Sequence, residues 1–235
     1  MRTLYLAERY VDEQEFQIWF EKSRVAKLSL TDREEEVAKV DELIEVELEL
    51  IGSTAIEDRL QDQVADTIQF MKTVGIKVWV LTGDKIETAI NIGVSAGLLD
   101  RTMAQHIIDQ TDISELSSII STISKDMSRL SRAKTSKQAI IVAGASLVAI
   151  EGHQTLKDKF LAMSDNADVV LACRVSPKQK ADIVNWIRQR FPKKVTMAIG
   201  DGANDVNMIL QAHVGIGILG KEGQQAARTA DYAIG

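Results

Sequence analysis

The residues best suited to chemistry lie in the loop GDGAND, which follows a short apolar segment near the end of the chain. Asp201 and Asp205 are four residues apart. With the first in the loop and the second in the next helical turn, both carboxylates can reach one point. Mg²⁺ favours such oxygens when phosphate supplies further ligands. Asn204 can bridge by hydrogen bonds, while Gly200 and Gly202 allow a phosphate to approach the backbone. The loop predicts a magnesium and phosphate site, although a glycine turn with two solvated acids is the alternative.

A second loop with suitable groups follows the strand-like segment IKVWVL. Thr82, Gly83 and Asp84 offer a hydroxyl and free backbone N–H groups where the next helix begins. The helix dipole favours an anion at that end, so the loop can bind a phosphoryl oxygen. Because many strand-to-helix turns read Thr-Gly-Asp, this loop by itself is weak evidence.

A third loop carries a cation in an unusual place. Ser176 and Pro177 are typical of a helix cap and its first residue, which puts Lys180 in the first turn, where the dipole repels it. A bound anion or the carboxylates of the Asp201 loop would compensate, whereas Lys178 is expected to be solvated. A hydroxyl, a lysine and two carboxylates with Mg²⁺ together predict an electrostatic site for phosphoryl transfer.

Transfer through an aspartyl-phosphate also needs a nucleophilic carboxylate, normally an Asp at the end of a hydrophobic central strand. The nearest candidate in the sequence is Asp109, in IIDQT. It follows only two apolar residues and comes after Thr82 in the chain. A strand-end turn is therefore the favoured interpretation of Asp109.

Strand-like and helix-like patterns alternate from residue 46 to the end of the chain. This alternation predicts an α/β fold, a doubly wound and mostly parallel Rossmann-like sheet, whose strand ends would bring the three loops together. The pattern opens with a half-exposed strand at 46–51. The strand at 195–199 is expected to be buried on both faces, and 139–150 predicts two strands or a hairpin.

The N-terminal part does not follow this alternation. Its sequence predicts a short strand at 2–6, a helix at 12–27 and a second helix. The second helix has a capping-box pattern in Thr31 and Glu34. We expect the two helices to form a hairpin with their acidic residues on a solvated outer face. No catalytic role is assigned to them.

Composition excludes several classes. A net charge of -6 and a pI of 5.2 disfavour a general nucleic-acid binder. The single Cys173 excludes an internal disulfide framework, and His106, His153 and His213 have no paired spacing for zinc. No apolar run is long enough for a membrane span and no signal peptide opens the chain, so we expect a soluble cytosolic piece.

The serine-rich segment 112–137 predicts a helix and a solvated connection.

Longer motifs resemble one family along nearly the whole chain. The sequence resembles the haloacid-dehalogenase-like phosphorylation domain of P-type ATPases, specifically the phospholipid-translocating branch, the lipid flippases. The matching stretches are RTLYLAER, STAIEDRLQD, VWVLTGDKIETAINIG, CRVSPKQKADIV, GDGANDVNMI, AHVGIGI, EGQQAAR and DYAI. Glu151 and Leu210 depart from the usual pattern of the branch, at positions that contact no phosphate.

The resemblance implies roles for particular residues. Asp201 would be the Mg²⁺ ligand with Asp205 completing the acidic pair, and Lys180 would steady the phosphoryl group, with Thr82 and Asp205 as its catalytic partners. ATP would be the substrate. The implied nucleotide-binding positions are Arg2, Thr82, Gly83, Asp84, Arg174, Lys180, Asn204 and Asp205.

The resemblance also implies a domain organisation. Residues 1–45 would be the C-terminal remnant of a nucleotide-binding domain, and 46–235 the second part of the phosphorylation domain. The family's phosphorylated Asp-Lys-Thr-Gly-Thr motif would lie upstream of Met1, with membrane helices flanking the domains, so the fragment alone is expected to be inactive. The parent would move aminophospholipids between leaflets, with a possible accessory subunit.

Two other readings remain open. A soluble Mg²⁺-dependent haloacid-dehalogenase-like phosphatase would need its own DxD strand, and the sequence contains none. A non-catalytic interaction or nucleotide-sensing module would keep the fold without the reaction. Binding of Mg²⁺ and an ATP analogue would distinguish that module from a fragment with a purely structural role.

Overall fold

The computed structural model describes residues 2–29, 32–56, 60–100, 102–133, 137–220 and 223–235. The chain divides into two compact units, Met1–Arg59 and Leu60–Gly235. The division falls after the second strand, whereas the sequence motifs place a boundary at residue 45. The assignment of 1–45 and 46–235 to two domain types stays a prediction.

The first unit combines a strand pair with two helices: β1 (Arg2–Glu8), α1 (Glu13–Lys27), α2 (Arg33–Asp41) and β2 (Glu49–Ile56). Asp12 caps α1 by accepting a hydrogen bond from the Glu15 N–H at 2.8 Å. The Trp19 indole donates to the Val40 carbonyl at 3.1 Å, which ties the two helices together. The predicted strand and helices are confirmed, whereas the capping box at Thr31 lies outside the described residues.

β2 corrects one expectation. The segment 46–51 was expected to open the parallel sheet, but β2 pairs with β1 in antiparallel register. β2 contains only the last three residues of the VELELI segment and continues through Gly52 to Ile56. Leu50 and Ile51 are both exposed. The parallel alternation therefore begins later in the chain.

The second unit contains the parallel sheets. All strand pairings within it are parallel, in the orders β3-β6-β5-β4 and β7-β8-β9. The predicted α/β, mostly parallel Rossmann-like class is confirmed. The elements are α3 (Val64–Thr73), β3 (Val78–Leu81), α4 (Ile86–Ser95), β4 (Ala104–Ile108), α5 (Ile113–Ala133), β5 (Gln138–Ala143), α6 (Gly144–Glu151), α7 (Gln154–Asn166), β6 (Val169–Cys173), α8 (Pro177–Arg190), β7 (Met197–Gly200), a 3-10 turn (Ala203–Asp205), α9 (Val206–Gln211), β8 (Val214–Ile218), α10 (Gln225–Thr229) and β9 (Tyr232–Ile234).

The four-stranded sheet is covered on both faces. Successive residues of β5 alternate between two cores, with Ile140 and Val142 in one and Ile141 in the other. Helices α5 to α8 cover the first face, and α3 and α4 cover the second. Because both faces are covered, β6 is buried along its whole length and β5 from Gln138 to Val142.

The longest helix, α5, occupies the serine-rich segment and confirms the predicted helix. Its apolar stripe, including Leu116 and Ile120, is buried in the first core. The connection at 134–136 lies outside the described residues. No helix in the described ranges is long and apolar enough to cross a membrane.

The second unit holds two separate sheets, and β3 and β7 are edge strands of them, as are β4 and β9. Within the described residues, each of these strands has a hydrogen-bonded neighbour on one side only. The expectation that the 195–199 strand is buried on both faces was wrong: Met197 and Ile199 are exposed, while Ala198 is buried. Leu81, at the end of β3, packs against the cores of both sheets. The two sheets thus meet through side chains and not through a shared ladder.

The segment 139–150 also differs from its prediction. It forms the strand β5 and then the helix α6, with no hairpin. Gly144 is the first residue of α6 and does not form the turn of a hairpin. A Cβ built on Gly144 would lie 2.3 Å from the Arg174 carbonyl oxygen, so this glycine permits a close backbone approach.

Replacing Ile140 by alanine should remove part of the first core. Ile140 is fully buried, and such truncations cost about 2–5 kcal/mol because a cavity remains. Urea unfolding followed by circular dichroism measures the loss. The half-exposed Ile107 on β4 is the matched control. An Ile107→Ala change as costly as Ile140→Ala would contradict the assignment of the core.

Candidate functional site

The loops after β3 and β6 are joined by backbone hydrogen bonds. The Thr82 N–H donates to the Ala172 carbonyl at 2.9 Å, and Val175 N–H donates back to the Thr82 carbonyl at 3.1 Å. Arg174 N–H donates to the Asp84 carbonyl at 2.9 Å. The carboxyl ends of two neighbouring strands thus form one connected surface, as open α/β sheets do where they bind ligands.

The Thr82 hydroxyl orders its own loop. Its Oγ1 accepts from the Asp84 N–H at 3.0 Å and donates to Asp84 Oδ2 at 3.1 Å. A Cβ built on Gly83 would meet no atom within 4 Å. The loop is therefore fixed at Thr82 and Asp84 and open to approach at Gly83.

Lys180 and Asp205 form a buried ion pair. Ser176 and Gln179 make a capping box at the start of α8, which turns Lys180 inward one residue later. Its Nζ lies 2.8 Å from Asp205 Oδ1, with side chains 7% and 9% exposed. Buried charges need such pairing because desolvation is costly. The expectation that a carboxylate of the Asp201 loop would compensate this cation is confirmed, and the carboxylate is that of Asp205.

Asp205 is held tightly by its own loop. Its Oδ2 accepts a weak hydrogen bond of 3.4 Å from the Gly202 N–H. A Cβ on Gly200 would lie 2.3 Å from the Asp205 Cβ. Only a glycine at position 200 therefore leaves room for the Asp205 side chain. Both Asp205 oxygens therefore accept bonds from the protein, whereas Asp201 and Asn204 are exposed.

The fit to Mg²⁺ follows from this arrangement. Among the described residues, no group of three or more His, Cys, Asp or Glu side chains could hold a metal ion. Mg²⁺ is commonly bound by one or two carboxylates plus phosphate and water, and the exposed carboxylate of Asp201 suits that mode. Asp205 is already engaged by Lys180, and its metal role stays a prediction.

The remaining candidates lie in different places. Arg174 is exposed and has a left-handed backbone, with φ of 53°. Arg2 begins β1 in the first unit. Asp109 follows β4, which is the opposite edge strand from β3 with β5 and β6 between them. The structure therefore brings the three predicted loops together and keeps Asp109 away from them; the residues' roles stay predictions.

Two residues of the site were missed. Gln179 Nε2 donates to the Gly144 carbonyl at 2.7 Å, and Gln179 Oε1 accepts from the Ser176 N–H. The Ser-x-x-Gln spacing is a capping-box signal that could have found Gln179. Nothing in the sequence alone could have shown that Gly144 touches the Arg174 loop.

Fold and site together define a class. A parallel α/β sheet whose strand-end loops carry a threonine hydroxyl, a buried lysine–aspartate pair and an exposed aspartate has the features of proteins that bind phosphate-bearing ligands at that edge. The comparison with known proteins narrows this class.

The chain is homologous over its full length to a segment of phospholipid-transporting ATPases, which confirms the resemblance to the P-type flippase family. It is 44% identical to phospholipid-transporting ATPase dnf2 of Schizosaccharomyces pombe and 42% identical to the probable phospholipid-transporting ATPase DNF3 of Saccharomyces cerevisiae. It is 40% identical to mouse phospholipid-transporting ATPase IH.

Each alignment covers 100% of this chain but only 18%, 14% and 21%, respectively, of the relative. The chain thus spans about a fifth of the length of these relatives or less. No protein-family model matches it.

Breaking the buried pair should destabilise the second unit strongly. Lys180→Met leaves the Asp205 carboxylate buried and uncompensated, at a cost of about 3–5 kcal/mol. Asp205→Asn leaves the lysine buried without a counter-charge. The double variant should therefore lose less free energy of unfolding than the two single variants together. Urea unfolding measures all three.

Lys178→Met is the matched control, because Lys178 is exposed and pairs with Asp182 on the helix surface. Its effect should be much smaller than that of Lys180→Met. Equal effects at the two lysines would contradict a stabilising pair at Lys180 and Asp205.

Cys173 should resist alkylation in the folded protein. Burial raises the pKa of its thiol to about 11, with smaller contributions from the negative charges of Asp84 and Glu87. The thiolate fraction at pH 8 should then be on the order of 100-fold below that of a free thiol. Iodoacetamide labelling followed by mass spectrometry measures the rate, with the urea-unfolded chain as control. Equal rates in both states would contradict the buried thiol.

Proposed function

We propose that this chain is part of the cytosolic, ATP-hydrolysing phosphorylation domain of a phospholipid-translocating P-type ATPase. The parent protein would move aminophospholipids between membrane leaflets through an aspartyl-phosphate intermediate. Support comes from 40–44% identity to phospholipid-transporting ATPases across the whole chain. The chain spans only a small share of those relatives, so the parent's activity belongs to the proposal.

The divided sheet is the observation that carries the proposal. β3 and β7 each leave one strand edge unpaired among the described residues, and each ends in a loop with candidate phosphate ligands. A further parallel strand between these edges would end between Thr82 and Asp201. The family's Asp-Lys-Thr-Gly-Thr motif, on a strand supplied from upstream, would put its aspartate there.

The site residues divide the work. Asp201 would hold Mg²⁺, which supplies charge neutralisation on phosphate oxygens when bound. Lys180, fixed by Asp205, would present its ammonium group to the phosphoryl group from one side. The Thr82 hydroxyl and the Gly83 N–H would bind phosphoryl oxygens. The Thr82 and Asp84 N–H groups, expected to be free, already donate to the Ala172 carbonyl and to Thr82 Oγ1.

Nucleotide contacts would come from residues around the same edge. Arg174 is exposed beside the Asp84 loop, and Asn204 is exposed beside Asp201. Gly83 and Asp84 complete the proposed set at this edge. Arg2, which begins β1 in the first unit, is proposed as a nucleotide contact on the family resemblance alone. A guanidinium group suits phosphate recognition because its planar donors match phosphate oxygens.

Asp109 is a poor nucleophile candidate. Its strand β4 is separated from β3 by two strands, so its carboxylate follows the far edge of the sheet. The proposal therefore gives the nucleophile to the upstream motif. The phospholipid site would lie in a membrane domain of the parent, and the parent would have an accessory subunit.

The proposal predicts ligand binding without turnover. Adding Mg²⁺ and a non-hydrolysable ATP analogue should shift the amide NMR signals of Thr82, Gly83, Asp84, Arg174 and Asn204. Asp201→Asn should weaken the Mg²⁺-dependent part of binding about tenfold or more, because the exposed carboxylate is lost. Asp109→Asn is the matched control and should bind as the original chain does.

ATP hydrolysis by the chain alone should not exceed background. Mg²⁺-dependent turnover that survives Asp109→Asn would contradict the upstream nucleophile, and turnover lost in that variant would reassign the nucleophile to Asp109. Absence of any binding at millimolar ligand would indicate a structural fragment only.

A further inference from the structure

We infer that Gln179 and Gly144 form a brace that holds the Arg174 loop in its left-handed conformation and so positions the Arg174 side chain. The role of Arg174 toward a nucleotide rests on the proposed function. The brace itself rests on hydrogen bonds and close contacts within the second unit. Gln179 is on this account a positioning residue and not a catalytic one.

The Arg174 backbone requires an external restraint. Its φ of 53° lies in the left-handed region, which costs a residue with a Cβ about 1–2 kcal/mol. Such conformations persist where the surrounding structure fixes them, and they cluster at ligand sites. The question is which contacts fix this one.

One restraint comes from the loop after β3. The N–H groups of Arg174 and Val175 donate to the carbonyls of Asp84 and Thr82. These bonds hold the peptide groups on both sides of Arg174, because the Val175 N–H and the Arg174 carbonyl belong to one peptide plane. A second element then packs against the face of that carbonyl.

Gly144 provides the second restraint. The first residue of α6 lies so close to the Arg174 carbonyl that an added Cβ would be 2.3 Å from the oxygen and 3.0 Å from the carbon. Both clashing atoms are backbone, so no side-chain rotation could relieve the contact. The end of β5 therefore backs directly onto the Arg174 peptide.

Gln179 fixes Gly144 in that position. Its Nε2 donates to the Gly144 carbonyl at 2.7 Å, and its Oε1 accepts from the Ser176 N–H at 2.8 Å. Only an amide supplies a donor and an acceptor together in this geometry. A glutamate would keep the capping box but could not donate to Gly144 when ionised.

The brace joins three strand ends. It connects the loops after β3, β5 and β6, and it starts from the residue next to Lys180. The direction of Arg174 and the first turn of α8 are consequently set by the same contacts. A cap alone would explain the bond to Ser176 but not the bond to Gly144.

Gln179→Glu separates the two roles. The carboxylate retains the capping interaction and suits the helix N-terminus, so α8 stays folded while the bond to Gly144 is lost. Hydrogen exchange of the Arg174 and Val175 amides should accelerate about tenfold. The Lys180 amide, which donates to the Ser176 carbonyl within α8, should be unchanged.

Matched controls accompany this variant. Gln189→Glu makes the same change at an exposed position of α8 and should leave all three amides unchanged. Gly144→Ala should accelerate the same amides as Gln179→Glu. Gly152→Ala is its control, because a Cβ there would meet only the Ala149 carbonyl oxygen, at 3.8 Å.

The second readout is affinity for Mg²⁺ and the ATP analogue. Gln179→Glu should weaken it several-fold, with Gln189→Glu unchanged. Unaltered exchange of Arg174 and Val175 in Gln179→Glu would overturn the brace. Faster exchange with unaltered affinity would overturn its positioning role. If the original chain binds no analogue, the proposed function fails, and the exchange data alone still decide whether the brace exists.

Discussion

The buried contact between Lys180 and Asp205 links the two halves of the second unit. Lys180 extends from α8, which packs on the four-stranded sheet, and Asp205 lies beyond β7 in the three-stranded sheet. Neither charge could be desolvated alone. No backbone ladder joins the two sheets among the described residues. The ion pair, the packing of Leu81 and Val184, and the bond from Arg188 to the Gln211 carbonyl connect them instead.

Within the part of the chain that the structure describes, β7 is open on one face as well as along one edge. Parallel strands are normally covered on both faces and paired on both edges, as β5 and β6 are here. β7 instead exposes Met197 and Ile199. An unpaired edge is prone to accept another strand, and the proposed function assigns such a strand to a segment that lies outside this chain.

Backbone proximity, more than side-chain chemistry, shapes the loops. Gly200 admits the Asp205 side chain and Gly144 admits the Arg174 carbonyl. In both places a Cβ would occupy the position of an atom that fixes the site. The polar groups can be close together because the strand ends that carry them are nearly bare of side chains there.

Local patterns in the sequence determined the helix caps, the βα alternation and the need of Lys180 for a counter-charge, because each depends on residues close together in the chain. Tertiary structure decided the antiparallel pairing of β2 and the exposed face of β7. It also decided that Gly144 begins a helix and that Gln179 donates to the Gly144 carbonyl. Those features depend on which distant segment lies alongside, and that choice is made by packing and hydrogen bonding across the whole unit. The sequence could therefore identify the loops, while only the fold could show that Asp205 is turned toward Lys180 and that Asp201 is left exposed.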